Sequence, residues 1–317
     1  MRRSAGITLL ATALAACRTT VVRQAAESAV PVAPLFGPAV SAEVIGGKAE
    51  DDEGRVWLLA GGSAIVRVDL ERREIERVAL RVSSAELCWG LARLADGSLW
   101  TLKGRRTLVA IGEAGRIDRE FALATPHFGL FASGERLLYQ AAEFTPPAPA
   151  LRAGIPGDEH PRPWSDVATR PFAALARASA AALNMISCGS SRTAERPCWF
   201  PDEAAVSLIQ SSGATRRVAL DGLEVVAPEI LLTSDNPARP VRDAYVDERG
   251  VLWVLSSGRP PADASERPGG WVLARYSPRG ALIGLQSLTE PVRLILRASG
   301  GRATVLTGAG MIAEVQP

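Results

Sequence analysis

One phrase recurs along this 317-residue chain and restricts how the chain can fold. In its clearest copy, residues 241–255, alternating apolar residues lead into an acidic residue and a glycine, and then into a second run that contains tryptophan near its start. Weaker copies surround Trp57, Trp100 and, with tyrosine in place of tryptophan, Tyr139. Trp57 and Trp100 lie about 43 residues apart, the length of one four-stranded propeller blade. The repeat therefore predicts a β-propeller.

The repeat has a simple physical basis. Alternating apolar residues form strands with one buried face. A glycine after an acidic residue adopts the positive φ that a tight hairpin needs. The aromatic residue at the start of the second strand fills the wedge between neighbouring blades. A β-sandwich whose hairpins resemble one another is the alternative architecture.

Six copies of the unit can be followed, so we predict an all-β fold: a single propeller of six four-stranded blades over residues 41–317. The sixth copy, residues 292–315, is one strand short. We expect residues 41–46 to supply that strand. Pairing between the two ends of the chain would remove the open sheet edges that otherwise pair with other chains.

The strand motifs Gly-Leu-Ala and Val-Arg-Asp, followed by an acidic-glycine turn and Leu-Trp, resemble six-bladed propellers of the NHL, streptogramin-lyase-like and SMP-30 kinds. The resemblance covers residues 41–317 and implies the same six-bladed fold. Because this fold hosts many functions, the resemblance implies little about chemistry.

Two metal-dependent activities occur among propellers of these kinds, and the sequence shows a convincing residue pattern for neither. A lyase site of that kind would need two histidines and a glutamate, but His127 and His160 are the only histidines, and His160 lies in a proline-rich stretch. SMP-30-type hydrolases hold a divalent metal through a glutamate, an aspartate and asparagines, a pattern that Asn184 and Asn236 do not follow. We therefore predict no catalytic residue, no metal site and no cofactor.

The N-terminus has the features of an export signal. Arg2 and Arg3 precede a short apolar run over residues 7–16, which is too short to span a bilayer. We predict a signal peptide over residues 1–16. The sequence Leu-Ala-Ala-Cys that ends at Cys17 resembles a bacterial lipobox, which implies that Cys17 carries a lipid anchor such as a palmitoylated diacylglyceryl group. An ordinary signal peptide with an incidental cysteine is the alternative.

The residues after Cys17 indicate where the protein is held. Residues 17–40 are rich in alanine, proline and threonine without periodicity, which predicts a lipidated cysteine and a flexible tether. Arg18 stands where an aspartate would signal retention at the inner membrane in lipoproteins of this kind. We therefore expect a lipid-anchored protein of the cell envelope, held at the outer membrane and facing the periplasm or the cell surface.

The charge of the chain excludes one class of partner. The sequence has 36 Lys and Arg against 34 Asp and Glu. Removal of the signal peptide takes Arg2 and Arg3 away and leaves the mature protein close to neutral. Nucleic-acid binding requires a basic footprint, so we expect no nucleic-acid partner.

A proline-rich insertion interrupts the third copy of the repeat over about residues 144–171. Proline cannot donate a hydrogen bond to a sheet. We predict that this stretch is a long loop on one face of the blades.

The cysteines predict one covalent bond. Cys188 and Cys198 lie on two predicted neighbouring strands of an exported protein, so we expect a disulfide between them, with two free buried thiols as the alternative. Cys88 would remain unpaired, and its apolar neighbours favour a small core residue.

Three residues on predicted innermost strands are candidates to face the channel or a ligand. Asp243 lies on the fifth such strand, Glu86 on the second, and His127 just before the third. A further set of acidic residues occupies the hairpins and is predicted to form turns: Asp52, Asp96 and Asp247.

Three functions are compatible with this sequence. We expect a membrane-anchored module that binds a small-molecule ligand or an envelope protein. The alternatives are a metal-dependent hydrolase or lyase in the central channel, and a structural component of an envelope assembly.

Overall fold

The computed structural model of the protein describes residues 30–41, 43–51, 53–83, 86–141, 151–165, 186–200, 203–223, 239–257 and 270–316. The predicted signal peptide, Cys17, most of the predicted tether, and Asp52, Asn184 and Asn236 lie outside these residues.

The described strands form six sheets arranged as the blades of a propeller, which confirms the predicted fold class. Each blade has four antiparallel strands, and the short strand Ser190–Ser191 adds in parallel to the inner edge of blade 5. From the channel outwards, blade 1 comprises Ile45–Glu50, Arg55–Ala60, Ala64–Asp69 and Glu74–Ala79. Blade 2 comprises Cys88–Arg93, Leu99–Lys103, Thr107–Ile111 and Ile117–Ala122. Blade 3 comprises His127–Ser133, Arg136–Ala141, Leu151–Gly154 and Arg162–Pro163. In the same order, blade 4 comprises Ser187–Cys188, Glu195–Trp199, Ala205–Gln210 and Thr215–Ala219. Blade 5 comprises Arg239–Val246, Leu252–Ser257, Trp271–Tyr276 and Leu282–Leu288. Blade 6 comprises Val292–Ser299, Arg302–Thr307, Ile312–Val315 and Ala33–Phe36.

Helix is almost absent from this architecture. A 3-10 turn occupies Glu113–Gly115. Within the described ranges, no helix is long and apolar enough to cross a membrane.

The ring closes between its two ends, as predicted, but not with the predicted segment. Ala33–Phe36 pairs antiparallel with Ile312–Val315 and completes blade 6. The expectation for residues 41–46 is wrong, since Ile45 already begins the innermost strand of blade 1. The closing strand contains Pro34 and lies within the stretch predicted to be a tether. An outermost strand tolerates proline because one of its edges faces no partner. Its proline content therefore made this strand resemble a tether in the sequence.

The proline-rich insertion is also more regular than predicted. Leu151–Gly154 and Arg162–Pro163 are the two outer strands of blade 3, so the expectation of a continuous loop is wrong for them. Pro163 lies in the outermost strand, where the missing N–H breaks no ladder. Trp164 follows and packs against Ile186 and Phe200.

The hairpin carboxylates hold the wedge residues in place. Asp247 Oδ1 accepts hydrogen bonds from the backbone N–H groups of Arg249 and Val251, and its Oδ2 accepts one from Trp253 Nε1 at 3.0 Å. Trp253 is fully buried with Ile295 and other residues of blades 5 and 6. Asp247 therefore forms the turn, as predicted, and also orients the indole that fills the wedge.

Two other blades use variants of this device. Asp96 Oδ1 accepts from Ser98 N and Oγ, and Trp100 Nε1 donates to Ser98 Oγ at 2.7 Å, so serine relays the contact. Asp96 is confirmed as a turn former. In blade 1, Asp51 accepts from the backbone N–H groups of Glu53 and Arg55.

The predictions for the cysteines are confirmed. Cys188 and Cys198 form a disulfide between the two inner strands of blade 4. Cys88 is a free, buried thiol in the core between blades 1 and 2, where burial raises its pKa to about 11.

We predict that Asp247→Ala lowers the free energy of unfolding by about 3 kcal/mol, because it leaves a buried indole N–H and two turn N–H groups without an acceptor. Asp96→Ala, at an exposed turn whose indole is held by serine, should lower it by about 1 kcal/mol. Urea denaturation followed by tryptophan fluorescence measures both. Equal losses for the two variants would contradict the role assigned to Asp247.

Candidate functional site

A polar recess lies at one end of the central channel, where the innermost strands of blades 1, 2 and 3 end. Its volume is about 80 Å³, and its walls include Glu50, Arg93 and Ala132 from these strand ends. It shares these residues with a wider vestibule of about 420 Å³. The strand ends position the side chains because the propeller brings the same end of each inner strand to the same mouth.

A short segment of blade 4 forms another side of the recess. After the disulfide, Ser190–Ser191 leaves blade 4 and pairs in parallel with the innermost strand of blade 5. Gly189 permits this crossing, because a Cβ there would lie 1.8 Å from the carbonyl oxygen of Ala244. Arg192 and Arg196 follow and border the recess. The crossing therefore delivers two cations to the mouth of the channel.

Arg192 is tied to blade 1. Its Nη1 donates to the backbone oxygen of Asp51 at 2.9 Å and lies 3.8 Å from Glu50 Oε1. This guanidinium joins blade 4 to blade 1 across the channel.

Arg196 is less well compensated. Its Nη1 donates to the backbone oxygen of Gly189 at 2.6 Å. In the part of the chain that the structure describes, no carboxylate lies within 4 Å of its guanidinium. Burial lowers the pKa of Arg196 to about 10, although the charge of Glu50 opposes that shift. The guanidinium remains charged at neutral pH without an anionic partner in contact.

Glu50 is the carboxylate of the recess, with a side chain only 6% exposed. Its Oε1 accepts a hydrogen bond from Tyr245 Oη at 3.0 Å. Its Oε2 is buried and has no hydrogen-bond partner among the described residues. Burial raises the pKa of Glu50, and the hydrogen bond from Tyr245 and the charge of Arg192 oppose that shift. Burial and the nearby Glu50 raise the pKa of Tyr245, so its hydroxyl stays protonated.

Arg93 reaches the recess from blade 2. Its guanidinium stacks over the ring of Trp57 at 4.9 Å from the centroid, and its Nη2 is 3.9 Å from Asp51 Oδ2. Its Nε is buried without a hydrogen-bond partner among the described residues. Asp51 is shared, since Arg55 Nε donates to the same oxygen at 2.7 Å.

Asp243, the first candidate from the sequence, is engaged in a buried ion pair. Its Oδ2 accepts from Lys48 Nζ and from the backbone N–H of Ile295, both at 2.8 Å, and its Oδ1 accepts from the N–H of Ala244. Lys48 Nζ also donates to the oxygen of Ile295. This network joins blades 1, 5 and 6. Lys48, rather than Asp243, borders the recess.

The other two candidates lie apart from Asp243 and from the recess. Glu86 is exposed, accepts from Ser83 Oγ at 3.0 Å and lies 3.9 Å from Lys103. His127 is buried at the start of its strand, with its ring 5.0 Å from that of Tyr139. The structure does not bring these three candidates together.

Sequence reasoning missed the residues that do converge: Lys48, Glu50, Arg93, Arg192 and Arg196. The available signal was the polar stretch Ser-Ser-Arg-Thr-Ala-Glu-Arg between Cys188 and Cys198, which is unusually hydrophilic for a segment between two strands near an axis. Among the described residues, no group of three or more histidines, cysteines, aspartates or glutamates is placed to hold a metal ion.

Solved structures of low sequence identity share the fold. A member of the DUF4221 family from Bacteroides vulgatus has a TM-score of 0.57 at 11% identity, over 91% of this chain and 96% of that one. Regucalcin, a calcium-binding protein from Agrobacterium tumefaciens, has a TM-score of 0.53 at 12% identity over 91% and 96%. Streptogramin B lyase has a TM-score of 0.50 at 11% identity over 90% and 96%.

These similarities establish a six-bladed propeller with lyase-like and regucalcin-like neighbours, and they concern the fold alone. No protein-family model matches the sequence, and no curated protein sequence matches it.

We predict that Glu50 makes the folded protein less stable as pH rises. Because its pKa is raised above the ordinary value of 4.5, the folded state holds this proton more tightly than the unfolded state does. Its contribution is therefore fully present below pH 4.5 and is lost as pH rises through the folded-state pKa. Urea denaturation between pH 4 and pH 8 should show wild type losing stability relative to Glu50→Gln. A constant difference across that range would contradict the prediction.

Proposed function

We propose that the protein is a lipid-anchored propeller of the cell envelope that binds a small ligand in the recess at the end of its channel. The observation that carries this proposal is the pair of incompletely satisfied charged groups in one small space, the guanidinium of Arg196 and the Oε2 atom of Glu50.

Polar atoms without a hydrogen-bond partner are costly when they are buried. A buried polar atom without a partner costs about 1 to 3 kcal/mol, and more when it is charged. Native proteins pair nearly all such atoms, so the exceptions mark places where another molecule completes the set. Glu50 Oε2 and Arg93 Nε are two such atoms at the recess, and the half-buried guanidinium of Arg196 borders the same space with no described carboxylate in contact. Convergent polar groups with shifted pKa values in a concave site are typical of binding sites.

The activities of the structural neighbours are not part of this proposal. Regucalcin binds calcium and streptogramin B lyase is a lyase by name. A sequence identity of 11 to 12% shows that the fold is shared, but it does not show that the residues of the active or binding site are shared. The described lining of this recess has three arginines and a lysine against two carboxylates, Glu50 and Asp51, and this excess of cations favours recognition of an anionic group.

The proposed anchor is consistent with where the described chain begins. Val30 donates its N–H to the oxygen of Ser287, at the outer edge of blade 5. About 13 residues separate Cys17 from Val30, a distance of at most about 45 Å when fully extended. A lipid on Cys17 would hold the propeller close to the membrane by this edge.

The proposed binding site is tested by a variant that blocks the entrance to the recess. Ala95 is exposed at the rim of the vestibule, so Ala95→Trp should leave the fold intact and close the entrance. We expect that small molecules which raise the Tm of wild type in a library screen no longer raise the Tm of this variant. Ala219→Trp, at another exposed position, is the matched control. Equal shifts for wild type and Ala95→Trp would place the binding elsewhere and overturn the proposed site.

The anchor is tested by labelling and fractionation. Wild type should incorporate palmitate and sediment with outer membranes, whereas Cys17→Ala should be unlabelled and lose its membrane association. Cys88→Ala, a cysteine variant in the core, is the control and should remain labelled. Label retained on Cys17→Ala would rule out this anchor.

A further inference from the structure

We propose that the recess binds a small carboxylic acid that carries a hydrogen-bond donor on the carbon next to the carboxylate, as in a hydroxy acid or an amino acid. This inference rests on the proposed ligand-binding function and specifies its ligand class.

The cationic side of the recess selects a carboxylate. A guanidinium presents donors in a planar fork that matches the two oxygens of a carboxylate. Arg196 borders the recess, donates to the backbone oxygen of Gly189 and has no carboxylate in contact among the described residues. Arg93 borders the same space. A ligand carboxylate would supply the anion that the protein itself does not place against Arg196.

The other cations of the recess are already compensated. Lys48 is paired with Asp243 at 2.8 Å. Arg192 lies 3.8 Å from Glu50, and Arg93 lies 3.9 Å from Asp51. Among the described residues, Arg196 is the guanidinium of the recess with no carboxylate within 4 Å, and the carboxylate of a ligand would pair with it. A dianion such as phosphate would gain the same cation but would also meet the negative charges of Glu50 and Asp51.

The acidic side of the recess selects a donor. Glu50 Oε1 is occupied by the Tyr245 hydroxyl, but Oε2 is buried without a hydrogen-bond partner among the described residues. The ionised form of Glu50 accepts and does not donate, so a group that completes that form must carry an O–H or N–H. Because Glu50 and Arg196 border one small recess, the donor and the carboxylate must lie close together in the ligand.

The volume of the recess sets the size of the ligand. About 10 to 15 Å³ of this kind of space holds one water, so a recess of about 80 Å³ accommodates roughly five to eight non-hydrogen atoms. Glycolate and glycine each have about five. A larger substituent would extend into the vestibule of about 420 Å³.

The ligand class is tested by titrating four probes into the full-length protein in detergent micelles, with isothermal titration calorimetry as the measurement. The probes are glycolate, glycine, acetate and inorganic phosphate at constant ionic strength. We expect glycolate, glycine or both to bind about tenfold more tightly than acetate, since acetate lacks the donor. We expect phosphate to bind more weakly than the best of them. The comparison of glycolate with glycine identifies the donor. Acetate or phosphate binding as tightly as both donor-bearing probes would overturn the proposal.

Two variants test which residue binds each part of the ligand: Arg196 is expected to bind its carboxylate and Glu50 its hydrogen-bond donor. Arg196→Met should abolish binding of all carboxylates while leaving the Tm of the free protein unchanged or higher, because it removes a half-buried charge that has no described carboxylate in contact. Arg217→Met, which breaks an exposed ion pair with Glu203 on the outer strand of the same blade, is the control and should bind normally. Glu50→Met should bind acetate as wild type does and lose the preference for glycolate or glycine. Carboxylate binding retained by Arg196→Met would contradict the proposal.

Failure of this inference is distinguishable from failure of the proposed function. If library compounds bind wild type but not Ala95→Trp, and none of the probes competes with them, the recess binds ligands of another class. If no compound distinguishes wild type from Ala95→Trp, the binding function of the recess itself fails.

Discussion

The antiparallel pairing of Ala33–Phe36 with Ile312–Val315 is the interaction on which the ring depends. Each blade buries its apolar faces only against its two neighbours, so an open ring would expose one face of blade 1 and one of blade 6. The closing strand ties the chain ends together and lets Ile312 join Val56 and Leu58 in the core between those blades. The channel exists only because this contact completes the circle.

Closure also creates the polar network along the channel. Lys48 of blade 1 meets Asp243 of blade 5 and the backbone of Ile295 in blade 6. Arg192 of blade 4 reaches the backbone of Asp51 in blade 1. These ties join blades that are distant in sequence. The charges of Lys48 and Asp243 are buried and satisfy each other, whereas among the described residues Arg196 has no carboxylate in contact and Glu50 Oε2 has no hydrogen-bond partner. The contrast within one channel distinguishes charges that hold the ring together from charges available to a ligand.

The sequence predicted those features that depend on neighbours along the chain. Asp247 and Trp253 belong to one hairpin, and a period-two pattern with a glycine turn specifies such a unit wherever it occurs. Cys188 and Cys198 lie on adjoining strands of one blade, so their short spacing was sufficient to pair them. The outer strands were predicted poorly. Ala33–Phe36 and Arg162–Pro163 are short, contain proline and have one open edge, so they carry little of the pattern that marks a central strand.

The sequence by itself determined an all-β chain of repeated hairpins, the disulfide and the turn residues, because each depends on local periodicity or short spacing. Only the tertiary structure decided which charged side chains meet at the channel. Asp243 was recognisable as an inner-strand residue, but its partner Lys48 is separated from it by 195 positions. Arg196 looks like any other arginine until the crossing at Gly189 places it at the recess, with no described carboxylate in contact. Closure of the ring brings charged residues of distant blades together at the channel. A local sequence pattern therefore cannot predict which ends of the blades will face one another.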